Sequence, residues 1–185
     1  MEYKINFFES IILGIIQGIT EFLPVSSSGH LLMARILFDI KDFNLFLEVC
    51  LHAGTLCSIL IFWRKEILIE IKKILKLDFK FLYNIVIATI PAGIIGLLFK
   101  DILENYFFNT SSYDFLIVNY LIMALILYIL KSYNIKDGNI TLKIAFIIGV
   151  GQAFAILPGI SRSGITICIA CLSGLSLQKS TKFSF

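Results

Sequence analysis

The chain has 185 residues, of which 58% are hydrophobic and only 16% are charged, and its mean hydropathy is +0.90. A soluble domain usually carries about 25% charged residues and about 45–50% apolar ones, so this composition favours lipid over water as the solvent. The formal net charge is only +3, and no basic stripe is interleaved with aromatic residues. A nucleic-acid-binding function is therefore disfavoured.

The first apolar region covers residues 5–38 and is interrupted by the polar stretch PVSSSGH at residues 24–30. It contains Glu9, Gln17 and Glu21, and no small-residue cleavage site follows it. These features differ from those of a cleaved signal peptide, so we expect the region to belong to the mature protein.

Three apolar segments have the length of membrane spans, namely residues 43–63, 81–99 and 115–130. A helix needs about 20 mostly apolar residues to cross the hydrocarbon core, so the third segment is expected to recruit flanking residues. The sequence thus predicts three spanning helices in the middle of the chain.

The charges of the connecting loops predict the orientation. Loops 64–80 and 131–143 are rich in lysine, whereas residues 100–114 hold one lysine against three acidic residues. Because short Lys/Arg-rich loops stay in the cytoplasm, the first two are expected inside and the third outside.

Residues 66–77 place isoleucines on one face and lysines on the other, which is typical of an interfacial amphipathic helix.

The second interrupted region covers residues 144–177 and is broken at residues 158–164, where Arg162 stands. An arginine at the centre of a spanning helix costs about 2.5–3.5 kcal/mol on insertion scales. Both interrupted regions are therefore predicted to be re-entrant helix-loop-helix hairpins whose loops are buried in protein.

The two interrupted regions match each other without a gap at an offset of 135 residues. Between residues 14 and 29 the identical pairs are Gly14 and Gly149, Gln17 and Gln152, Ser26 and Ser161, Ser28 and Ser163, and Gly29 and Gly164. With three spans between them, the hairpins would enter from opposite sides, as in an inverted-topology repeat. We therefore expect an all-α integral membrane protein with one domain, 1–185. The first repeat would cover about residues 5–99, and the second would begin near residue 144 and be incomplete.

The first loop offers groups for proton transfer and nucleophilic attack. Gln17 and Glu21 are four residues apart and share one helical face. Three serines, Ser26, Ser27 and Ser28, and His30 follow them directly. Hydroxyls, a carboxylate and an imidazole inside an apolar chain indicate a polar site rather than helix packing alone.

The second loop, PGISRSGIT at residues 158–166, offers groups for anion binding. Arg162 carries a forked guanidinium suited to phosphate oxygens, and Ser161, Ser163 and Thr166 add hydroxyl donors. A helix beginning near Gly164 would add backbone N–H groups. Together the loops hold what phosphoryl transfer needs: an anion clamp, a base and a nucleophile.

Other polar residues have simpler interpretations. Cys168 and Cys171 form a C-x-x-C, but their apolar setting favours helix packing over zinc or redox chemistry. Glu48 and His52 are also four residues apart, and a packed intrahelical pair explains them better than a place in the site.

The motifs at Gln17–Glu21, at 26–30 and at 158–166 resemble the two signature regions of the undecaprenyl-pyrophosphate phosphatases, the bacitracin-resistance family. The segment LHAGTL at residues 51–56 resembles a further family segment, and Gln17 stands where many members have glutamate. The resemblance covers the whole chain, which looks truncated relative to members that continue with more helices.

The resemblance implies hydrolysis of undecaprenyl pyrophosphate to the monophosphate and phosphate at a site toward the outer face of the bacterial inner membrane. By position, it implies that Glu21, Ser27, His30 and Arg162 are catalytic. The phosphate-binding candidates are Ser26, Ser28, Ser161, Arg162, Ser163 and Thr166. The family's divalent cation, Mg²⁺ or Ca²⁺, would be held by Glu21 and, more weakly, by Gln17. The partners are then a polyprenyl pyrophosphate lipid and the membrane, and a homodimer is one possible assembly.

Two alternatives remain open on sequence grounds. A lipid-phosphate transporter or flippase would use the same anion clamp and the same inverted repeat. A non-catalytic membrane scaffold would need the loop residues only for stability, and the polar density of both loops argues against it.

Overall fold

A computed structural model describes residues 6–40, 45–103, 114–133 and 136–185 of the chain. Within these ranges the ordered elements are α-helices and there is no strand, so the all-α prediction is confirmed. The helices are α1 Phe7–Thr20, α2 Ser27–Leu37, α3 Leu45–Phe62, α4 Arg64–Leu75, α5 Lys80–Leu98, α6 Lys100–Leu103, α7 Asp114–Lys131, α8 Leu142–Phe154, α9 Arg162–Leu172 and α10 Leu177–Ser184.

Two described helices, α5 and α7, are long and apolar enough to cross a membrane. Their large side chains point outward, as Leu97 at 81% exposed and Leu121 at 65% exposed illustrate. A hydrocarbon surface of this extent is stable in lipid and unstable in water. The chain is therefore a multi-pass membrane protein.

The predicted span at residues 43–63 differs from the other two. Residues 43 and 44 of this span lie outside the described residues, and so does most of the loop 100–114. Helix α3 is followed by α4 at a bend of 77°, so the pair counts as a third span only if it is taken as one broken unit. Helix α4 has no buried residue, which agrees with the amphipathic surface helix predicted for residues 66–77.

Two pairs of short helices carry the sequence repeat. The first broken pair is α1 and α2, with 14 and 11 residues, and the second is α8 and α9, with 13 and 11 residues. Adding 135 to the bounds of α2, 27 and 37, gives 162 and 172, the bounds of α9. We name residues 21–26 the first tip and residues 155–161 the second tip.

The same repeat governs how these helices begin. Asn6 and Thr141 are 135 residues apart, and each side chain accepts the backbone N–H of the residue three positions later. Ser26 and Ser161 do the same for α2 and α9. Such caps satisfy N–H groups that would otherwise be unpaired in an apolar setting, so equivalent residues end each tip at the same place.

The repeated helices also end alike. The backbone N–H groups of Ile40 and Leu175 each donate to the carbonyl five residues earlier, at 2.9 and 3.1 Å. The residues before them, Asp39 and Gly174, have φ values of 49° and 98°. This left-handed turn with a 6→1 hydrogen bond is a Schellman C-cap, and the buried Ile40 and Leu175 lie just beyond it.

The helices of the second broken pair pack against several neighbouring helices. Helix α8 packs along α5, and α9 packs between α7 and α10. Gly149 allows the closest approach: a Cβ added there would lie 2.6 Å from the Ala88 carbonyl oxygen. Cys168 and Cys171 are buried free thiols on α9, in agreement with their interpretation as packing residues.

We predict that Gly149→Ala separates α5 from α8, because its new Cβ meets backbone atoms of Ala88 that no rotamer change can move. The expected loss is about 1–3 kcal/mol of unfolding free energy, measured by thermal unfolding in detergent. Gly93→Ala on α5 is the matched control, since nothing lies within 4 Å of its added Cβ. Equal stability of the two variants would contradict this account of the α5–α8 contact.

Candidate active site

The two tips meet through Ser26. Its hydroxyl oxygen accepts the backbone N–H of Gly29 in its own helix, at 3.3 Å, and that of Gly159 in the second tip, at 3.1 Å. Both Ser26 and Gly159 have positive φ, at 64° and 96°. For a non-glycine residue this conformation is strained, so its presence at Ser26 marks a site whose geometry the surroundings enforce.

Glu21 lies at the centre of the polar contacts between the tips. One carboxylate oxygen, Oε2, accepts the Ser27 hydroxyl at 2.5 Å and the Gln17 amide at 3.0 Å. The other, Oε1, lies 3.6 Å from the guanidinium of Arg162. The Glu21 side chain is 13% exposed and that of Arg162 is 51% exposed. The structure thus brings together four predicted site residues around one nearly buried carboxylate.

Ser27 and Arg162 are equivalent in the repeat, because they are the first residues of α2 and α9 and lie 135 positions apart. Both side chains contact Glu21, so the N-terminal ends of two helices converge on one small volume. Helix N-termini carry partial positive charge and attract anions. The arrangement therefore suits an anion held beside a hydroxyl, a guanidinium and a carboxylate.

His30 lies one helical turn beyond Ser26, and its Nδ1 atom has two neighbours. The Ser26 carbonyl oxygen lies 2.8 Å away and the Tyr120 hydroxyl 3.1 Å away. A carbonyl oxygen can only accept, so the Ser26 contact is a hydrogen bond when Nδ1 carries a proton, and Nε2 is the ring nitrogen outside both contacts. Within the described residues no hydrogen bond joins His30 to Glu21 or Ser27.

The remaining predicted phosphate-binding hydroxyls are engaged inside the protein. Ser161 caps Gly164, and its oxygen lies 3.2 Å from that of Ser163. The Thr166 hydroxyl lies 2.8 Å from the Arg162 carbonyl oxygen. All three serine and threonine side chains on the second loop are at least 95% buried. Ser28 is half-buried and lies 3.3 Å from the Ser26 hydroxyl.

Two sequence expectations are refined here. Helix α9 begins at Arg162, two residues before Gly164, because Ser161 caps it and binds the Gly164 N–H. Glu48 and His52 contact each other within α3, through His52 Nδ1 and the Glu48 backbone carbonyl oxygen at 2.9 Å. The described hydrogen bonds join neither of them to Glu21, Ser27 or Arg162.

Two residues of α7 contact the broken pairs and were missed by the sequence analysis. Asn119 donates to the Pro158 carbonyl oxygen at 2.7 Å, and Tyr120 contacts His30. The available signal was an adjacent polar pair inside the otherwise apolar segment 115–130, since polar groups in spans mark functional positions.

A cavity of about 470 Å³ opens beside Arg162. Aliphatic and aromatic side chains form most of its lining, and the polar lining residues are spread among them: Glu66, Glu70, Thr89, Gln152, Arg162, Thr166, Lys182 and Ser184. A mostly apolar cavity with a few charged and polar groups can hold an amphiphile with a charged head.

The Glu21 carboxylate and the Gln17 amide of the first broken pair give a cation only a partial set of ligands. No group of three His, Cys, Asp or Glu side chains that could hold a metal occurs among the described residues. Glu21 supplies one carboxylate, and the Gln17 Oε1 atom is buried without a hydrogen-bond partner. Magnesium is often bound by one or two carboxylates together with substrate phosphates, so these residues fit a cation shared with a bound phosphate group.

We predict that Ser26→Ala destabilises the protein more than Ser161→Ala. Each substitution removes a helix cap, at a cost of about 1 kcal/mol. Ser26→Ala also leaves the buried Gly159 N–H unpaired, which adds about 1–3 kcal/mol. Chemical or thermal unfolding in detergent measures the difference, and equal losses would show that the contact between the tips contributes no stability.

Comparison with known proteins places this architecture in a family. The model of the family described as bacitracin resistance protein BacA matches residues 10–185. A protein named undecaprenyl-diphosphatase 4 from Bacillus thuringiensis subsp. konkukian is 44% identical over 185 residues, covering 97% of this chain and 68% of the relative. One named undecaprenyl-diphosphatase from Carboxydothermus hydrogenoformans is 41% identical over 184 residues, with the same coverage. The chain therefore belongs to the bacitracin resistance protein BacA family.

Proposed function

We propose that this protein hydrolyses undecaprenyl pyrophosphate to undecaprenyl phosphate and inorganic phosphate, which recycles the carrier lipid for peptidoglycan synthesis and gives bacitracin resistance. The observation that carries the proposal is the Glu21 carboxylate, which accepts the Ser27 hydroxyl on one side and faces the Arg162 guanidinium on the other. The family relatives named undecaprenyl-diphosphatase support the same reaction.

Glu21 is the base that this geometry favours for the first step. The Ser27 hydroxyl already donates to its Oε2 atom, so the proton path is formed before substrate arrives. When Ser27 Oγ, or a water in its place, attacks the terminal phosphorus, the proton passes to Glu21. The bond from phosphorus to the bridging oxygen breaks, and undecaprenyl phosphate leaves. If Ser27 is the nucleophile, water then hydrolyses the phosphoserine and releases phosphate.

Arg162 has one role in the site without substrate and another when substrate is bound. Without substrate its guanidinium partly neutralises Glu21. Its side chain is half-exposed beside the cavity, so it can turn toward the oxygens of a diphosphate and bind them in a forked arrangement. That movement releases the Glu21 carboxylate to accept the proton from Ser27.

His30 is placed for a later proton transfer. Its Nδ1 atom is held by the Ser26 carbonyl and by Tyr120, which leaves Nε2 as the exchangeable position. We assign to Nε2 the handling of the proton of water or of the leaving phosphate, while Glu21 serves Ser27. Ser26, Ser28, Ser161, Ser163 and Thr166 act mainly by holding the two loops in shape, because their hydroxyls are engaged within the protein.

A divalent cation, Mg²⁺ or Ca²⁺, is proposed to bind together with the substrate. Glu21 and the unpartnered Gln17 Oε1 atom would hold it, and phosphate oxygens would complete its ligands. Such a cation offsets the negative charge that gathers on the diphosphate.

We also propose the membrane arrangement. Helices of 11–14 residues span at most about 21 Å at 1.5 Å per residue, less than the roughly 30 Å hydrocarbon core. Each broken pair would therefore be a re-entrant hairpin, entering from opposite sides of the inner membrane as an inverted repeat. The site would open toward the outer face. We also propose a homodimer, which the mass of the detergent-solubilised protein would test.

The direct test is phosphate release from a detergent-solubilised prenyl pyrophosphate, with and without EDTA. We expect release that EDTA abolishes, in this chain or in a form extended to the length of its relatives. Release by neither form would overturn the phosphatase assignment in favour of a lipid-phosphate transporter.

Ser27→Ala and Glu21→Gln separate hydrolysis from transport. We expect each to lower kcat by about a hundredfold or more, because each removes an atom of the proton path, while a fluorescent lipid phosphate still binds. Ser58→Ala is a matched control, since Ser58 is exposed on α3 and bonds only to its own helix. Near-normal turnover in both site variants would remove Ser27 and Glu21 from the chemistry.

Arg162→Ala should reduce turnover by about a hundredfold to a thousandfold and weaken substrate binding, because it removes the charged donor for the diphosphate. Expression should be retained and the unfolding temperature should fall only modestly, because Glu21 keeps its hydrogen bonds from Ser27 and Gln17. Arg64→Ala, which removes an exposed guanidinium at the start of α4, is the control. Activity equal to the control would eliminate the proposed clamp.

A further inference from the structure

Two consecutive residues of α7 each contact a different broken pair. Tyr120 contacts His30, which follows the first tip, and Asn119 contacts Pro158 within the second tip. Neighbouring residues on a helix point about 100° apart, so one short stretch of α7 reaches two loops that are far apart in sequence. Helix α7 therefore lies where it can fix the tips relative to each other.

The Tyr120 contact with His30 is specific in two ways. The hydroxyl lies 3.1 Å from Nδ1, and the two rings meet edge to face at 5.7 Å between centroids and 85° between planes. Gly29 leaves the space for it, because a Cβ at that position would lie 2.5 Å from the Tyr120 hydroxyl oxygen. With the Ser26 carbonyl, the tyrosine restricts the imidazole in both rotation and tilt.

The Asn119 contact fixes the second tip. Its amide donates to the Pro158 carbonyl oxygen at 2.7 Å, and its side chain is buried at 7% exposed. The next residue, Gly159, lies so close that an added Cβ would be 2.9 Å from the Asn119 Cβ. Gly159 in turn donates to Ser26, and Arg162 follows three residues later. Asn119 thus sets the position from which the guanidinium reaches Glu21.

We propose that Asn119 and Tyr120 are positioning residues for the phosphatase reaction, a role that rests on the proposed function. Tyr120 holds His30 with Nε2 directed to its proton-transfer position, and Asn119 holds the second tip so that Arg162 faces the substrate. Neither residue contacts the reacting atoms. The two roles predict different kinetic effects: loss of the Tyr120 hydroxyl lowers kcat, and loss of the Asn119 amide raises KM.

The first experiment compares Tyr120→Phe with Tyr128→Phe in the phosphate-release assay. Tyr128 lies on the same helix and is 68% exposed, so its hydroxyl serves as the matched control. We expect Tyr120→Phe to lower kcat about threefold to tenfold with KM unchanged, the effect of one lost hydrogen bond. A kcat equal to that of Tyr128→Phe would overturn the role of Tyr120.

The second experiment observes His30 without using activity. The chain has two histidines, and His52 makes the same kind of Nδ1 contact, to the carbonyl four residues earlier, at 2.9 Å. In ¹⁵N-imidazole NMR spectra, Tyr120→Phe should shift or broaden the His30 signals and leave those of His52 unchanged. Unchanged His30 signals would overturn the contact itself. Altered His30 signals in a protein that releases no phosphate would keep the contact and reject the phosphatase function.

The third experiment uses Asn119→Leu, which has a similar size and lacks the amide donor. We expect KM to rise about threefold to tenfold with a smaller change in kcat, because the second tip carries the clamp and not the base. Val118→Leu, at an exposed position on the same helix, is the control. If Asn119→Leu lowers the unfolding temperature strongly, Asn119→Gln, which keeps the amide, should restore KM. A drop in kcat with KM unchanged would overturn the assignment.

Discussion

The contact between the two tips is the constraint on which the site depends. Ser26 accepts the N–H of Gly159, and the Glu21 carboxylate faces Arg162 across the same gap. Without this contact the buried Gly159 N–H loses its partner and Glu21 loses its counter-charge, and an unpaired buried polar group costs about 1–3 kcal/mol. The same contact therefore stabilises the fold and assembles the site.

The internal repeat builds both sides of this contact from equivalent helices and caps. Equivalent caps start and end the helices of both broken pairs, and equivalent first residues, Ser27 and Arg162, face the same carboxylate. The two copies differ at the residue that faces the carboxylate. Residue 27 carries a hydroxyl and residue 162 a guanidinium, the groups to which we assign nucleophilic attack and anion binding under the proposed function.

Burial within the protein determines which hydroxyls remain available. Ser161, Ser163 and Thr166 form hydrogen bonds with the backbone or with other hydroxyls, because a buried donor without a partner is costly. Ser27 and Arg162 keep contacts that a substrate phosphate can replace. A dense run of donors in sequence therefore overstates the number of groups that are free to bind a ligand.

The sequence by itself determined the broken helices, the spans at α5 and α7 and the residues around Glu21, because hydropathy, the cost of a charge in lipid and helical spacing are local properties. It placed the start of α9 two residues late and missed Asn119 and Tyr120, since a cap bond and a contact across 90 residues do not appear in local patterns. Only the tertiary structure decided that Glu21, rather than His30, accepts the hydrogen bond of the Ser27 hydroxyl, because that choice rests on which side chains packing brings within hydrogen-bonding distance.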